Sequence, residues 1–257
     1  MQPGPQAMIF DLDGVITFTA RVHAAAWKEL FDQFLKERAI ELHQPFREFT
    51  VDGDYLNYVD GKPRYDGVAS FLASRRISLP YGTPSDPPSA QTVCGLGNRK
   101  DNLFTSKIRE IGVDVDHHAV EFVRQLRERE VPIGLASSSR NAVAIVRQAG
   151  ISQLFDEIVD GVVSDRLHLR GKPEPDIFLE CLKQLESHPE PDKAGIAEDA
   201  ISGVMAGQRG GFGLVLGVDR KRNGALARNG ANWVIDDFQK ITAAQVAQFF
   251  AERARAA

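Results

Sequence analysis

Cysteine is scarce: only Cys94 and Cys181 occur in 257 residues, far apart in the chain. Neither belongs to a metal-ligand or redox pair, so a disulfide framework is not expected and a reducing cytoplasm fits. Long apolar runs are also missing. None reaches the roughly 18 residues that mark a membrane span, and the opening Met1–Gln6, polar and proline-containing, lacks the apolar stretch of a signal peptide and reads as a loose tail. Charge of one sign never accumulates: 31 Lys and Arg stand against 35 Asp and Glu, a net charge of −4, which gives no nucleic-acid surface. Several chemistries drop out as well. Gly95-Leu96-Gly97 follows no convincing strand and lacks the dinucleotide pattern, and Gly210-Gly211-Phe212-Gly213 reads as a helix-to-strand turn. His117-His118 has no partner at metal spacing and reads as an exposed loop. No serine stands in a nucleophile elbow, and no internal repeat is visible.

Hydrophobic residues make up 43% and charged residues 26%, ordinary for a globular chain of this length and enough for a large core, alone or with an insertion. Ala7–Phe10 is a short apolar run that reads as a buried strand. After Gly14 the apolar spacing turns helical, with Val22, Ala25, Ala26, Leu30, Phe31 and Phe34 on one face of a helix over 21–38. From Ile40 to Tyr81 the pattern is mixed and aromatic, with 66–74 its best helix. Pro80–Ser89, rich in proline and glycine, is an exposed loop, and 103–111 returns to helix.

Beyond Asp116 the rhythm becomes regular. Helices are predicted over 119–129, 141–149, 175–186, 201–209 and 243–256, and strands over 132–136, 158–159, 194–197, 213–218 and 232–235. Such alternation predicts an α/β fold with a parallel, doubly wound sheet. One strand at the start, then a hundred-residue interruption, gives a Rossmann-like core of residues 1–16 and 112–257 with a helical cap, 17–111, inserted after the first strand.

The chemistry gathers where strands should end, the edge at which open α/β sheets bind ligands. Asp11 and Asp13 stand on alternate residues just past the first strand, and strand periodicity sends them to one side. Negative charge so concentrated calls for a cation, and Mg2+ suits: it takes oxygen ligands, needs only one or two protein carboxylates and leaves room for phosphate. Ser137-Ser138-Ser139-Arg140-Asn141 is a hydroxyl- and amide-rich turn before a helix, on its own more in keeping with an N-cap cluster than with the anion site it could also form. Lys172, between Gly171 and Pro173, is a fixed ammonium or a solvated lysine in a stiff turn. Glu198-Asp199 ends another apolar strand and could complete a metal shell, or could serve only the helix dipole.

These four motifs, in this order, strongly resemble those of the haloacid dehalogenase superfamily of phosphotransferases. The resemblance covers essentially the whole core. It implies that Asp11 is the nucleophile and Asp13 the general acid and base, with Ser137 and Lys172 holding the phosphoryl group. It further implies that Asp11, the Asp13 carbonyl, Glu198 and Asp199 surround Mg2+. Within the superfamily, Gly14 to Lys28, Asp60 to Gly67 and Asn98 to Asn102 are similar to cap motifs of β-phosphoglucomutases. That likeness gives Arg64, Ser139 and Asn141 a second phosphate, and Thr19, His23 and Lys100 cap closure and sugar contacts. Ser138 and Arg140 join the substrate-binding set as members of the serine-rich turn.

Two departures stand out, Phe18 where an aspartate is expected before Thr19 and Asp101 where an asparagine is expected after Lys100. The expected activity is Mg2+-dependent interconversion of β-glucose 1-phosphate and glucose 6-phosphate through an aspartyl-phosphate and glucose 1,6-bisphosphate. The alternative is a sugar-phosphate phosphatase of the same fold, and a more distant one a sugar-phosphate sensor without turnover. The expected partner is a small phosphosugar, with no nucleic acid and no membrane, for a monomer in the cytoplasm.

Overall fold

The computed structural model of the protein describes residues 4–186 and 188–256. Six parallel strands form one sheet in the order β3-β2-β1-β4-β5-β6. They are β1 (Ala7–Phe10), β2 (Ile133–Ala136), β3 (Glu157–Val159), β4 (Ala194–Glu198), β5 (Leu214–Val218) and β6 (Trp233–Ile235). The order reverses direction at β1, so the switch point of this doubly wound α/β sheet falls at the strand that carries the aspartates. The wholly apolar sequences of β1, β2 and β5 follow from burial on both faces.

The chain divides into two compact units, one of Met1–Phe18 with Asp114–Ala257 and the other Thr19–Val113. In the first, helix Asp176–Gln184 lays Ile177, Phe178, Cys181 and Leu182 against the sheet, where they pack with Ile9, Val159 and Ile196. In the second, helices Ala20–Glu41, Arg64–Ser74 and Val93–Ile111 enclose an aromatic cluster. The Phe31 ring lies 4.1 Å from Phe71, 5.0 Å from Phe49 and 5.3 Å from Trp27, contacts worth about 0.5–1.5 kcal/mol each beyond the area they bury.

Several elements differ from the sequence expectation. The helix expected over 103–111 begins at Val93, capped by Thr92 Oγ1 accepting from Gly95 N at 2.9 Å. Gly95 and Gly97 hid it, because glycine weakens a helical pattern. Both are there for space: a Cβ on Gly95 would strike the Ala90 carbonyl, and one on Gly97 would lie 2.6 Å from the Tyr65 ring. His117 and His118 open helix His117–Arg127 instead of forming a loop, because Asp116 caps it by accepting from His118 N and Ala119 N. Helix Gly161–Leu167, not foreseen, is capped the same way by Asp160. The opening is not a loose tail over its described part: Pro5 is buried and Gln6 N donates to Lys193 O at 2.8 Å, while residues 1–3 of that expectation lie outside the described residues. No described helix is long and apolar enough to cross a membrane, and both cysteines are buried free thiols.

Candidate active site

Register places the site. Phe10 pairs with Leu135 on one side and Ala197 on the other, so Asp11, one residue on, leaves the sheet between the ends of β2 and β4. Its N–H still donates to Ala197 O at 3.0 Å. The chain then turns sharply: Thr17 N and Thr17 Oγ1 both donate to Leu12 O, and Gly14 N donates to Thr17 O at 2.7 Å. Gly14 takes φ +95°, and a Cβ there would overlap the Asp199 carboxylate. The missing side chain thus seats Asp199 against the Asp13 turn. Gly14→Ala is expected to add about 1–3 kcal/mol of backbone strain besides displacing Asp199, read as a lowered thermal midpoint; an unchanged midpoint would contradict this.

Lys172 sits between two carboxylates. Its Nζ is 2.6 Å from Asp11 Oδ1 and 2.5 Å from Glu198 Oε1, and all three side chains are nearly sealed from water. The Phe178 ring lies 4.8 Å from the ammonium, and Arg209 holds the Lys172 loop through Glu174 at 2.7 Å. The second Glu198 oxygen accepts from Ala200 N at 2.7 Å, and the Lys172-bound oxygen occupies space left by the absent side chain of Gly203. Each Glu198 oxygen thus has a protein partner, the Lys172 ammonium for one and Ala200 N for the other. Ser137, 1% exposed, receives Ser139 N at 3.1 Å and donates to Asp13 Oδ2 at 3.5 Å. That ties the β2 turn to the β1 turn.

Burial pushes the Asp11 carboxyl up to about 8, against the pull of Lys172 and with the Glu198 and Asp13 carboxylates adding to the rise. For Lys172, burial opposes the charge, yet Asp11 and Glu198 beside it hold the ammonium above the usual lysine range. Acidic groups therefore outnumber the one ammonium in a buried site. That imbalance, together with all-oxygen donors, fits a hard divalent cation. Among the described residues no three His, Cys, Asp or Glu side chains form a ready-made cage. Mg2+ needs none, since it keeps waters and takes few carboxylates.

The remaining expected residues are distributed as follows. Ser138, Ser139 and Asn141 line the half-buried turn after β2, with Asn141 N donating to Ser139 Oγ at 3.2 Å. Arg140 forms an ion pair with Asp165, over the bare Gly161. In the cap unit, Thr19 is buried at the head of Ala20–Glu41. Lys100, 5% exposed, places Nζ 2.5 Å from His23 Nδ1, and the His23 ring stacks on Phe104 at 3.8 Å. Arg64 Nη1 is 3.1 Å from Asp101 Oδ2, so the unexpected Asp101 holds the guanidinium. Phe18, the other departure, lies under Arg220 at 4.8 Å. Arg220 and its partner Asp116 escaped the sequence reading. The available signal was that Asp219-Arg220 follows the apolar strand β5 onto the same sheet edge.

A parallel sheet with a buried carboxylate past its central strand, an ion-paired lysine and an acidic β4 end is the arrangement that phosphoryl transfer needs. The chain belongs to the haloacid dehalogenase-like hydrolases, whose family model matches residues 5–211, and it is an enzyme of that family. Among relatives, it is 40% identical over 240 residues to a β-phosphoglucomutase of Mycobacterium bovis, covering 92% of this chain and 91% of that one. It is 34% identical over 201 residues to the β-phosphoglucomutase of Bacillus subtilis, covering 78% of each. The crystal structure of a Clostridium difficile β-phosphoglucomutase superposes with a TM-score of 0.75 at 25% identity, covering 97% of this chain and 99% of that one.

Proposed function

We propose that the protein is a Mg2+-dependent phosphosugar mutase of the cytoplasm, interconverting β-glucose 1-phosphate and glucose 6-phosphate through phospho-Asp11 and glucose 1,6-bisphosphate. The observation that carries phosphoryl transfer is Lys172 bridging Asp11 and Glu198 in a buried site. The names of the relatives support the choice of sugar.

Asp11 attacks phosphorus: a bond forms from its carboxylate oxygen and the bond from phosphorus to the sugar oxygen breaks. Asp13 gives its proton to that departing oxygen, and in the return step takes one from the attacking sugar hydroxyl as the acyl phosphate bond breaks. Lys172 and Ser137 hold the oxygens of the transferring group, and Glu198 keeps Lys172 aligned. Asp11, the Asp13 carbonyl and Asp199, with Glu198 beside it, would hold Mg2+, which when bound offsets the repulsion between carboxylate and phosphate. Arg64, with Ser139 and Asn141, is assigned the second phosphate, and Thr19, His23 and Lys100 the cap side of sugar binding. In the rival phosphatase reading water takes the phosphoryl group from the same Asp11.

The test records glucose 6-phosphate and free phosphate together, from β-glucose 1-phosphate with Mg2+ and a trace of glucose 1,6-bisphosphate. Glucose 6-phosphate in large excess is expected; phosphate in excess would overturn the mutase reading in favour of the phosphatase. Arg64→Ala should lower mutase flux about 10- to 100-fold, the loss of one or two charge-assisted hydrogen bonds. Hydrolysis of a simple phosphate ester should fall far less, and equal losses would remove the second phosphate site.

A further inference from the structure

We propose that Arg220 is a positioning residue for Asp13, holding from outside the turn that carries the general acid. The inference rests on the phosphoryl-transfer reading above and concerns a residue to which that reading gives no part. Arg220 lies just past β5 with its side chain 25% exposed. Its Nε donates to Gly14 O at 3.0 Å, and its Nη2 to Asp116 Oδ2 at 2.5 Å and to Val15 O at 3.4 Å. Its guanidinium carbon lies 4.8 Å from the Phe18 ring centroid. One planar group therefore grips the two carbonyls that follow Asp13, the last residue before the chain leaves this unit, and a residue just after the chain returns at Asp114.

Each partner is itself fixed. Asp116 uses its other oxygen to cap helix His117–Arg127, and its N–H donates to Ile16 O at 2.9 Å. Phe18 N donates to Asp114 O at 2.8 Å. The Asp13 turn is thus tied through Arg220 to a helix terminus. A forked, planar guanidinium serves two carbonyls and a carboxylate in fixed directions while lying on a ring; a lysine ammonium has donors but neither the fixed fork nor the plane. Phe18 suits this arrangement where an aspartate would not, because a second carboxylate would compete with Asp116 for the guanidinium.

A misplaced general acid has a characteristic signature. Departure of a weakly acidic phenol needs the Asp13 proton, whereas p-nitrophenolate leaves without it. The experiment measures single-turnover phosphorylation of the full chain, with Mg2+, by a series of substituted phenyl phosphates from p-nitrophenyl to phenyl. The proteins are wild type, Arg220→Ala, Arg220→Lys and Asp116→Asn, each corrected for active sites by burst amplitude. For Arg220→Ala we expect a loss of about 10- to 100-fold with phenyl phosphate, the size expected when a catalytic group is misplaced by about 1 Å, and only a small loss with the p-nitrophenyl ester. Arg220→Lys should show the same steepened leaving-group dependence. Asp116→Asn, which keeps the capping oxygen, should show it more weakly and carries the test if the alanine variant does not fold.

Equal losses across the series, or wild-type rates throughout, would overturn the proposal, since damage to the fold alone lowers all esters together. Wild-type protein that accepts aryl phosphates but not glucose 1,6-bisphosphate would overturn the sugar assignment and leave this inference standing. Failure of wild type with every ester would overturn both.

Discussion

Asp11→Asn is expected to lower turnover by more than about 10^4-fold, the scale on which loss of a covalent nucleophile registers, while the variant folds at least as well as wild type. The second half follows from burial. Asp11 stands at about 8 in the folded chain against an ordinary 3.8, so its ionised form disfavours folding. That cost is absent below about pH 4, grows between about 4 and 8, and is constant above. In chelator, thermal unfolding should show the variant gaining on wild type as pH rises through this window. A variant that retains activity, or that loses stability relative to wild type as pH rises, would contradict the assignment.

Lys172→Ala is expected to damage both activity and fold. The ammonium lies 2.6 Å from Asp11 and 2.5 Å from Glu198, and both carboxylates are largely shielded from solvent. Breaking a buried pair by removing one partner costs about 3–5 kcal/mol, a loss that urea unfolding at neutral pH would read. The Lys172 value is raised, so its contribution persists through neutral pH and fades only above the ordinary lysine range. Turnover should fall with it, because Asp11 loses its orienting partner and the phosphoryl group its cation. A stable, active alanine variant would remove Lys172 from the centre of the mechanism.

The core of the site was legible because three of its four motifs end apolar strands, Asp11 after β1, Ser137 after β2 and Glu198 at the close of β4, whereas the Lys172 turn follows helix Gly161–Leu167. A short buried strand announces itself by composition, and in a parallel sheet its carboxyl end is the functional edge. The pairing among those motifs was not legible. That Glu198 turns to Lys172 and Ala200 N depends on the room beside Gly203, which strand spacing does not reveal. Arg140 shows the same limit, since its partner Asp165 lies on a helix the periodicity did not foresee. Glycines misled where they serve packing, as Gly95 and Gly97 do inside Val93–Ile111. Arg220 was hidden for another reason: two of its acceptors are main-chain carbonyls, and a carbonyl has no residue type to read.

The measurement that tests the account most directly is intact-protein and peptide mass spectrometry of the enzyme quenched during reaction with glucose 1,6-bisphosphate and Mg2+. The account predicts one added phosphoryl group, located on Asp11, which disappears when β-glucose 1-phosphate is supplied and is recovered on sugar. A phosphoryl group on any other residue, or turnover with no phosphoenzyme at any time, would contradict it.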